Sequence, residues 1–410
     1  MSNVRDHQRT QPAIRFKGFT DAWEKRKLGE LGNFVRDSIN PQDTPAEKFA
    51  EYSMPAFDNG RTPQVVLGKM MQSLRLKISG NVLLINKLNV RQRRIWWLRE
   101  VEDNAVTSSE FVPFTSDKVT LGLLEQIMLS DKVTRDMEAM SSGTSNSQKR
   151  ITPSDLAKYE LGIPEEVIEQ TKIGAFFSRL DSLIAVNQRK GDVLQNLKKG
   201  LLQRLFASET SPIPDIRFKG FTDAWEKRKL GELANIRRGA SPRPIKNKKW
   251  FSQTSQVGWI RISDVTEQNG RIHQVEQYLS DAGQKKTLVL KSKHLLLSIA
   301  ATVGKPVQNY IQVGVHDGFI VFMDPKFDLD FMFYFLEKYR PNWARFGQPG
   351  SQININSELV RDLVVSIPTV HEQVAVAQFI ITLENLIAAT KRKGEVLKNL
   401  KKALLQKMFV

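Results

Sequence analysis

Two stretches of this chain are nearly identical. Pro12–Asn33 reads PAIRFKGFTDAWEKRKLGELGN and Pro214–Asn235 reads PDIRFKGFTDAWEKRKLGELAN, differing only at Ala13/Asp215 and Gly32/Ala234. Chance does not produce such a match, so the chain is a duplication, and whatever one copy builds the other must build too. A looser repeat closes each half. It reads EQTKIGAFFSRLDSLIAVNQRKGDVLQNLKKGLLQRLF over Glu169–Phe206 and EQVAVAQFIITLENLIAATKRKGEVLKNLKKALLQKMF over Glu372–Phe409, with Ile163-Pro164 and Ile367-Pro368 just ahead. The order is entry frame, variable module and closing segment, then all three again.

The closing segments are predicted helices, because apolar residues recur at three- and four-residue steps. The first copy shows Ile173, Phe176, Leu180 and Leu183, then Leu194, Leu197, Leu201 and Leu205; the second shows Val376, Phe379, Leu383 and Leu386, then Leu397, Leu400, Leu404 and Met408. Proline is tolerated where Pro164 and Pro368 stand, before each helix. Further apolar residues, Phe177, Ile184 and Leu202 with Ile380, Ile387 and Leu405, widen the stripe and give each helix room for more than one neighbour. At ~1.5 Å per residue each is a rod of roughly 60 Å, a spacer. The link Ala207–Pro214 reaches at most about 28 Å, which favours antiparallel pairing with the modules at opposite ends. Gly191 and Gly394 fall mid-helix in matching RKG contexts. A bend or a close helix approach would use them; inheritance by duplication explains them more simply.

With 61 Lys and Arg against 44 Asp and Glu, the formal net charge is +17. Such an excess attracts polyanions, and nucleic acid is the first candidate partner. No membrane partner is expected, because no apolar run approaches the roughly 20 residues that span a bilayer and Met1–Gln11 is polar. A soluble, cytoplasmic protein is the expectation. Cysteine is absent, which removes disulfides, thiolate zinc sites and cysteine nucleophiles.

The module interiors, about 34–162 and 236–366, share no sequence beyond a rhythm of β-rich segments, one helix and a Gly/Ser/Gln stretch. In the first, strands are predicted at Asn81–Leu88 and Ala105–Phe114 and a helix over Leu121–Met140. Between the strands VRQRRIWWLRE gathers Arg91, Arg93 and Arg94 with Trp96 and Trp97. Guanidinium groups hold phosphates or bond bidentately to guanine, so these arginines are candidate DNA contacts. The alternative is a solvated hairpin with its tryptophans in the core. The second interior opens with IRRGASPRPIKNKKW, in which Arg237, Arg238, Arg243, Lys246, Lys248 and Lys249 stand among turn-forming residues with no acidic residue to neutralise them. Such a loop is a candidate phosphate-binding surface with strongly salt-dependent affinity. Strands are expected at GWIRISDV, HLLLSIAATVGKPVQ and QVGVHDGFIVFM, a helix over Leu329–Tyr339, and polar loops at Ser141–Arg150 and Phe346–Asn356.

Catalytic signatures are missing. His7, His273, His294, His316 and His371 are dispersed, without HExxH or a carboxylate at ligand spacing. No Walker A loop, GxGxxG, Asn-Pro-Pro-aromatic motif or acidic pair with Glu-x-Lys occurs. No catalytic residue and no metal site is expected, and the chain reads as a binder rather than an enzyme.

RFKGFTDAWEKRKLGEL at Arg15 and Arg217, the Ile-Pro boundaries, the RKG-VL-NLKK helix ends and GWIRISDV at Gly258 together resemble the specificity subunits of type I restriction-modification systems. The resemblance covers essentially the whole chain. It implies an α+β fold, with two mixed α/β target-recognition domains joined by two long antiparallel coiled-coil-like helices in a pseudo-two-fold duplication. The expected boundaries are 1–164 and 214–368 for the recognition domains, 165–206 and 369–410 for the helices, and 207–213 for the link. Each domain would read one half of a bipartite, asymmetric site in double-stranded DNA, while the helices set the spacing and dock two modification subunits. Separate restriction subunits would act as motor and endonuclease. S-adenosylmethionine, ATP and Mg are expected on those partners and no cofactor on this chain. The family's DNA contacts map onto Ser241–Pro244 and Arg261–Asp264, which adds Ser241, Arg261 and Ser263 to the candidates. Two other readings remain: a coiled-coil scaffold with two protein-binding modules, and a nuclease, which would need clustered carboxylates in one module.

Overall fold

The computed structural model describes residues 9–143, 149–346 and 355–409. Two compact units divide the chain, one made of Met1–Arg189 with Thr390–Val410, the other of Lys190–Ala389. The predicted helices run Val167–Arg204 and Val370–Met408, so each unit takes a portion of both. Within each unit these portions are antiparallel. Lys401 Nζ meets both carboxylate oxygens of Asp181 at 2.7 Å in the first, and Lys198 Nζ meets Glu384 Oε1 at 2.5 Å in the second.

In the first unit the frame strand Trp23–Lys27 pairs antiparallel with Glu160–Ile163, setting Glu24 opposite Ile163. The entry frame therefore closes on the Ile-Pro boundary. A four-stranded sheet follows, in the order Asn33–Phe34, Phe111–Thr115, Val82–Asn86, Ile95–Leu98. A five-stranded sheet is ordered Ser38–Ile39, Arg75–Lys77, Ala105–Thr107, Lys48–Tyr52, Gln64–Leu67. The stretch expected as one strand over Ala105–Phe114 is thus two strands in different sheets. The helix expected over Leu121–Met140 is also two, Leu121–Met128 and Asp131–Met140, because the Ser130 hydroxyl accepts from Val133 N and starts a new helix.

The second unit repeats the plan. Glu226–Lys229 pairs antiparallel with Val364–Ile367, Glu226 opposite Ile367. Its larger sheet is ordered Asn235–Arg238, Phe319–Met323, Leu295–Ser298, Pro306–Asn309, Arg271–Ile272; its smaller one Gly258–Trp259, Val313–Val315, Leu288–Leu290. Strand for strand, the first four of the larger sheet match the four-stranded sheet of unit one. Two interiors without sequence likeness share the order of these four strands. The helix Leu329–Tyr339 lies where the periodicity placed it. GWIRISDV is strand only at Gly258–Trp259. The Asp264 carboxylate accepts from Arg261 N at 2.8 Å and turns the chain into the helix Ile262–Glu267.

The same junction recurs inside each unit. Arg15 Nε and Nη2 donate to Glu169 Oε1 and Oε2 at 2.6 and 2.7 Å, and Arg217 grips Glu372 likewise at 2.7 and 2.8 Å. Beside each glutamate a glutamine does a second job. Gln170 Nε2 donates to Pro164 O at 2.8 Å while its Oε1 accepts from Thr120 N at 2.9 Å; Gln373 does the same with Pro368 O and Asp328 N, both at 2.8 Å. Thr120 and Asp328 start the module helices Leu121–Met128 and Leu329–Tyr339, so frame, boundary, module helix and long helix meet at one Glu-Gln pair. The far helix ends lie crosswise. Phe409 packs on Trp23 at 6.3 Å, Phe206 on Trp225 at 6.3 Å, and Ile14 N and Ile216 N donate to Lys407 O and Arg204 O at 3.1 and 3.0 Å.

Neither mid-helix glycine is forced by packing. A Cβ at Gly191 meets nothing within 4 Å, and one at Gly394 meets only Asn187 Cβ at 3.9 Å. The tight approach lies elsewhere, at Gly174, where a Cβ would come within 2.9 Å of the Gly122 backbone. One helix departs from the expectation that no apolar run is of membrane length. By length and composition Val370–Met408 could cross a membrane, with an 18-residue window of mean hydropathy 1.3. Val376, Ala377 and Ile380 of that helix are buried in the core of unit two, and 39% of the window is buried, so protein packing accounts for part of its apolarity.

Removing one partner of a buried ion pair costs about 3–5 kcal/mol. Glu169→Ala should therefore speed hydrogen exchange in Leu121–Met128 and spare Leu329–Tyr339, and Glu372→Ala should do the reverse. A pH effect is expected at Glu125, whose carboxyl is pushed up by burial against the pull of Arg61 and the Trp97 N–H. Folding then takes up a proton just above the ordinary carboxylate range, and the stability from this group falls as pH rises through that window. Thermal melts should show Glu125→Gln gaining on the parent chain as pH rises above the ordinary carboxylate range.

Candidate nucleic-acid interface

In the first module the turn Val90–Gln92 links Val82–Asn86 to Ile95–Leu98, and Asn89 and Arg93 flank it with φ of 52° and 49°. Its arginines are not open cations. Arg91 pairs with Glu138, and Arg93 donates to Asp131 Oδ1 at 2.5 Å and to Leu129 O at 3.2 Å, so both fasten the turn to the region of helix Asp131–Met140. Arg94 forks onto Asp58 at 2.9 and 2.7 Å. Trp96 is buried against Tyr52 at 5.0 Å, as the core-hairpin alternative requires. Arg91 keeps 56% of its side chain exposed and Arg94 only 16%, which leaves Arg91 the more available to a ligand.

In the second module Arg237 and Arg238 end the strand Asn235–Arg238, both exposed, and the basic loop follows. Gly239 N and Ala240 N donate to Phe319 O and Val315 O at 2.9 Å, laying the loop against the turn at residues 316–318. Only glycine fits at 239, since a Cβ there would lie 2.2 Å from His316 O. The expectation of a loop without an acidic neighbour is overturned here. Asp317 accepts from Ser241 Oγ at 2.6 Å and Arg243 Nη2 at 2.9 Å through its carboxylate, and from Arg238 Nε at 2.7 Å through its backbone oxygen. The Ser241 hydrogen bond, with Arg243 adding to it, holds the Asp317 carboxyl below its ordinary range. Beyond this hub Lys246, Lys248 and Lys249 are exposed. Lys249 Nζ sits 4.3 Å from the ring of Trp250, whose Nε1 donates to Pro244 O at 3.0 Å and pins the loop.

Arg261 and Ser263 lie at a helix start rather than on a strand. The Arg261 guanidinium is paired with Glu276 and approaches Asp264 at 3.8 Å, while Ser263 is exposed on the first turn. His316 lies between Trp259 and Phe319 with ring centroids at 5.7 and 4.7 Å, its Nδ1 accepts from Gly318 N, and burial pushes its pKa down. It is a neutral packing residue. Sequence reading missed Asp317 because its partners lie 74 to 79 positions away; the only local sign was an Asp-Gly turn. The polar loops at Ser141–Arg150 and Phe346–Asn356 fall in part outside the described residues. Among the described residues no group of three or more His, Asp or Glu side chains is placed to hold a metal ion.

Residues 222–399 match the family described as the type I restriction modification DNA specificity domain. The type I restriction enzyme MjaVIII specificity subunit of Methanocaldococcus jannaschii is 24% identical over 264 residues, 58% of this chain and 58% of that one. Over these residues the chain is similar to the type I restriction-modification specificity subunits. A putative MjaX specificity subunit of the same organism is 22% identical over 63% of this chain, and the match spans 60% of its length. The chain thus covers about three fifths of the length of these relatives. Among solved structures, the HsdS subunit from Thermoanaerobacter tengcongensis aligns with TM-score 0.51 and 18% identity over 94% of this chain and 96% of its own. The type I S subunit from M. genitalium aligns with TM-score 0.58 and 13% identity over 98% and 99%. At such identities the likeness is one of fold.

The slope of log affinity against log salt should fall by about 0.9 for every phosphate that a substitution leaves without its cation. Replacing Lys246, Lys248 and Lys249 together by alanine should flatten that slope by about two to three units on a duplex of arbitrary sequence, measured by fluorescence anisotropy. The substitution of Arg94 by alanine should flatten it less than loss of any one of these lysines, because Asp58 already meets the charge of Arg94.

Proposed function

We propose that this chain is the specificity subunit of a type I restriction-modification complex, a non-catalytic reader of double-stranded DNA in which each module recognises one half of a bipartite, asymmetric site. The recognition domains span 1–164 and 214–368, the spacer helices 165–206 and 369–410, and the link 207–213. One observation carries the reading: the two modules share a strand order and a latch while presenting different surfaces. The first offers Arg91 and Arg93 beside a helix, and the second a lysine-rich loop around Asp317. A common chassis with unlike reading surfaces suits two unlike half-sites. The candidates for contact are Arg91, Arg93 and Arg94 in the first module, with Arg237, Arg238, Ser241, Arg243, Lys246, Lys249, Arg261 and Ser263 in the second.

The long helices set the unread gap and dock two modification subunits. What supports this is an apolar set left exposed at equivalent positions in each unit, Leu183, Val396 and Leu400 in one and Leu386, Val193 and Leu197 in the other. Equal sites suit two copies of one partner. Restriction subunits complete the complex, and S-adenosylmethionine, ATP and Mg belong to the partners.

The test is genome-wide mapping of adenine methylation in cells expressing the chain with its modification subunit, repeated after exchange of the interior 236–366. A split motif that changes in one half only is the expected result. Methylation without the chain, or a motif indifferent to the exchange, would overturn the reading in favour of a scaffold.

A further inference from the structure

The most basic loop of the second module is oriented by a carboxylate contributed from far along the chain. Asp317 sits on the turn between the strands Val313–Val315 and Phe319–Met323 and takes Ser241 on one oxygen and Arg243 on the other. Arg243 nevertheless keeps 75% of its side chain exposed. A guanidinium tethered at one nitrogen has given up much of its rotamer freedom before a ligand arrives. It retains donors for O6 and N7, the two acceptors that guanine shows in the major groove.

A carboxylate in this place opposes phosphate binding, since it cancels one cation and repels the DNA backbone. A loop built only to hold phosphates would bind better without it. Its presence makes sense where the direction of Arg243 matters more than the number of positive charges. The first module repeats the device on the corresponding turn, between Ala105–Thr107 and Phe111–Thr115. There Glu110 accepts from Arg150 Nη2 at 2.8 Å, and Arg150 remains 53% exposed.

We propose that Asp317 is a positioning residue for sequence reading, which holds Arg243 for bidentate contact with a guanine in the half-site of the second module and in doing so weakens non-specific binding. The proposal rests on the DNA-reading function above. Two substitutions separate it from a structural role. Asp317→Asn keeps an acceptor for Ser241 Oγ and removes the charge; Arg243→Lys keeps the charge and removes the fork.

The experiment is selection from a randomised duplex library by the full chain assembled with its modification subunits, with salt titrations on a duplex lacking the motif. Asp317→Asn should bind the motif-free duplex several-fold more tightly, and its preference for guanine at one position of one half-site should fall about tenfold. Arg243→Lys should lose the same preference at a nearly unchanged salt slope, and neither should alter the other half-site. Unchanged base preferences in either variant would overturn the proposal. Arg243→Lys decides the point should Asp317→Asn fail to fold. A parent complex that selects no split sequence would instead bring down the DNA-reading function and this proposal with it.

Discussion

Glu169 and Glu372 would each be an isolated charge in a protein interior were it not for Arg15 and Arg217. The need to meet those charges fixes the direction in which the frame approaches the long helix, and the adjacent glutamine then fixes the Ile-Pro corner and the start of the module helix. Because the fork has one good geometry, the surrounding sequence has little latitude. The two differences between the frames fit this account. Ala13 and Asp215 are exposed, whereas Gly32 lies where a Cβ would be 2.1 Å from Thr115 O, a restriction that Ala234 does not share.

The parts of the fold visible in the sequence are those specified locally or by repetition. The long helices follow from apolar spacing, the unit plan from the duplicated frame, and the helix Leu329–Tyr339 from its own period. What was not visible depends on partners remote in the chain or on a single capping side chain. The split of Leu121–Met140 turns on one serine that caps rather than continues a helix, and the helical start at Arg261 turns on the Asp264 carboxylate. The shared topology of the modules left no trace in residue identity, because a strand order constrains which positions are apolar and says little about which residues fill them.

Charge shows the same division. A basic run in a sequence looks like a surface for phosphate, yet Arg91, Arg93 and Arg94 each meet a carboxylate supplied by another element, and the second module's loop meets Asp317. The net charge of +17 is a property of the whole chain, and it says which class of partner is attracted without saying which side chains touch it. Of the candidate residues, the lysines at 246 and 249 come closest to what the sequence suggested. Arg91, Arg93, Arg94, Arg238, Arg243 and Arg261 have internal duties as well.

The crosswise ends of the long helices bear on the order in which the chain can fold. The core of the first unit includes Leu405, Met408 and Phe409, and that of the second includes Leu205 and Phe206. On a ribosome the second unit finds its helix end already made, whereas the first must wait until the whole second module has been synthesised. Its contacts are among the longest in the chain, and long loops close slowly. Until then Trp23 and Phe177 lack the Phe409 ring that packs on both, and the end of the helix Val370–Met408 is the stopper that completes this core.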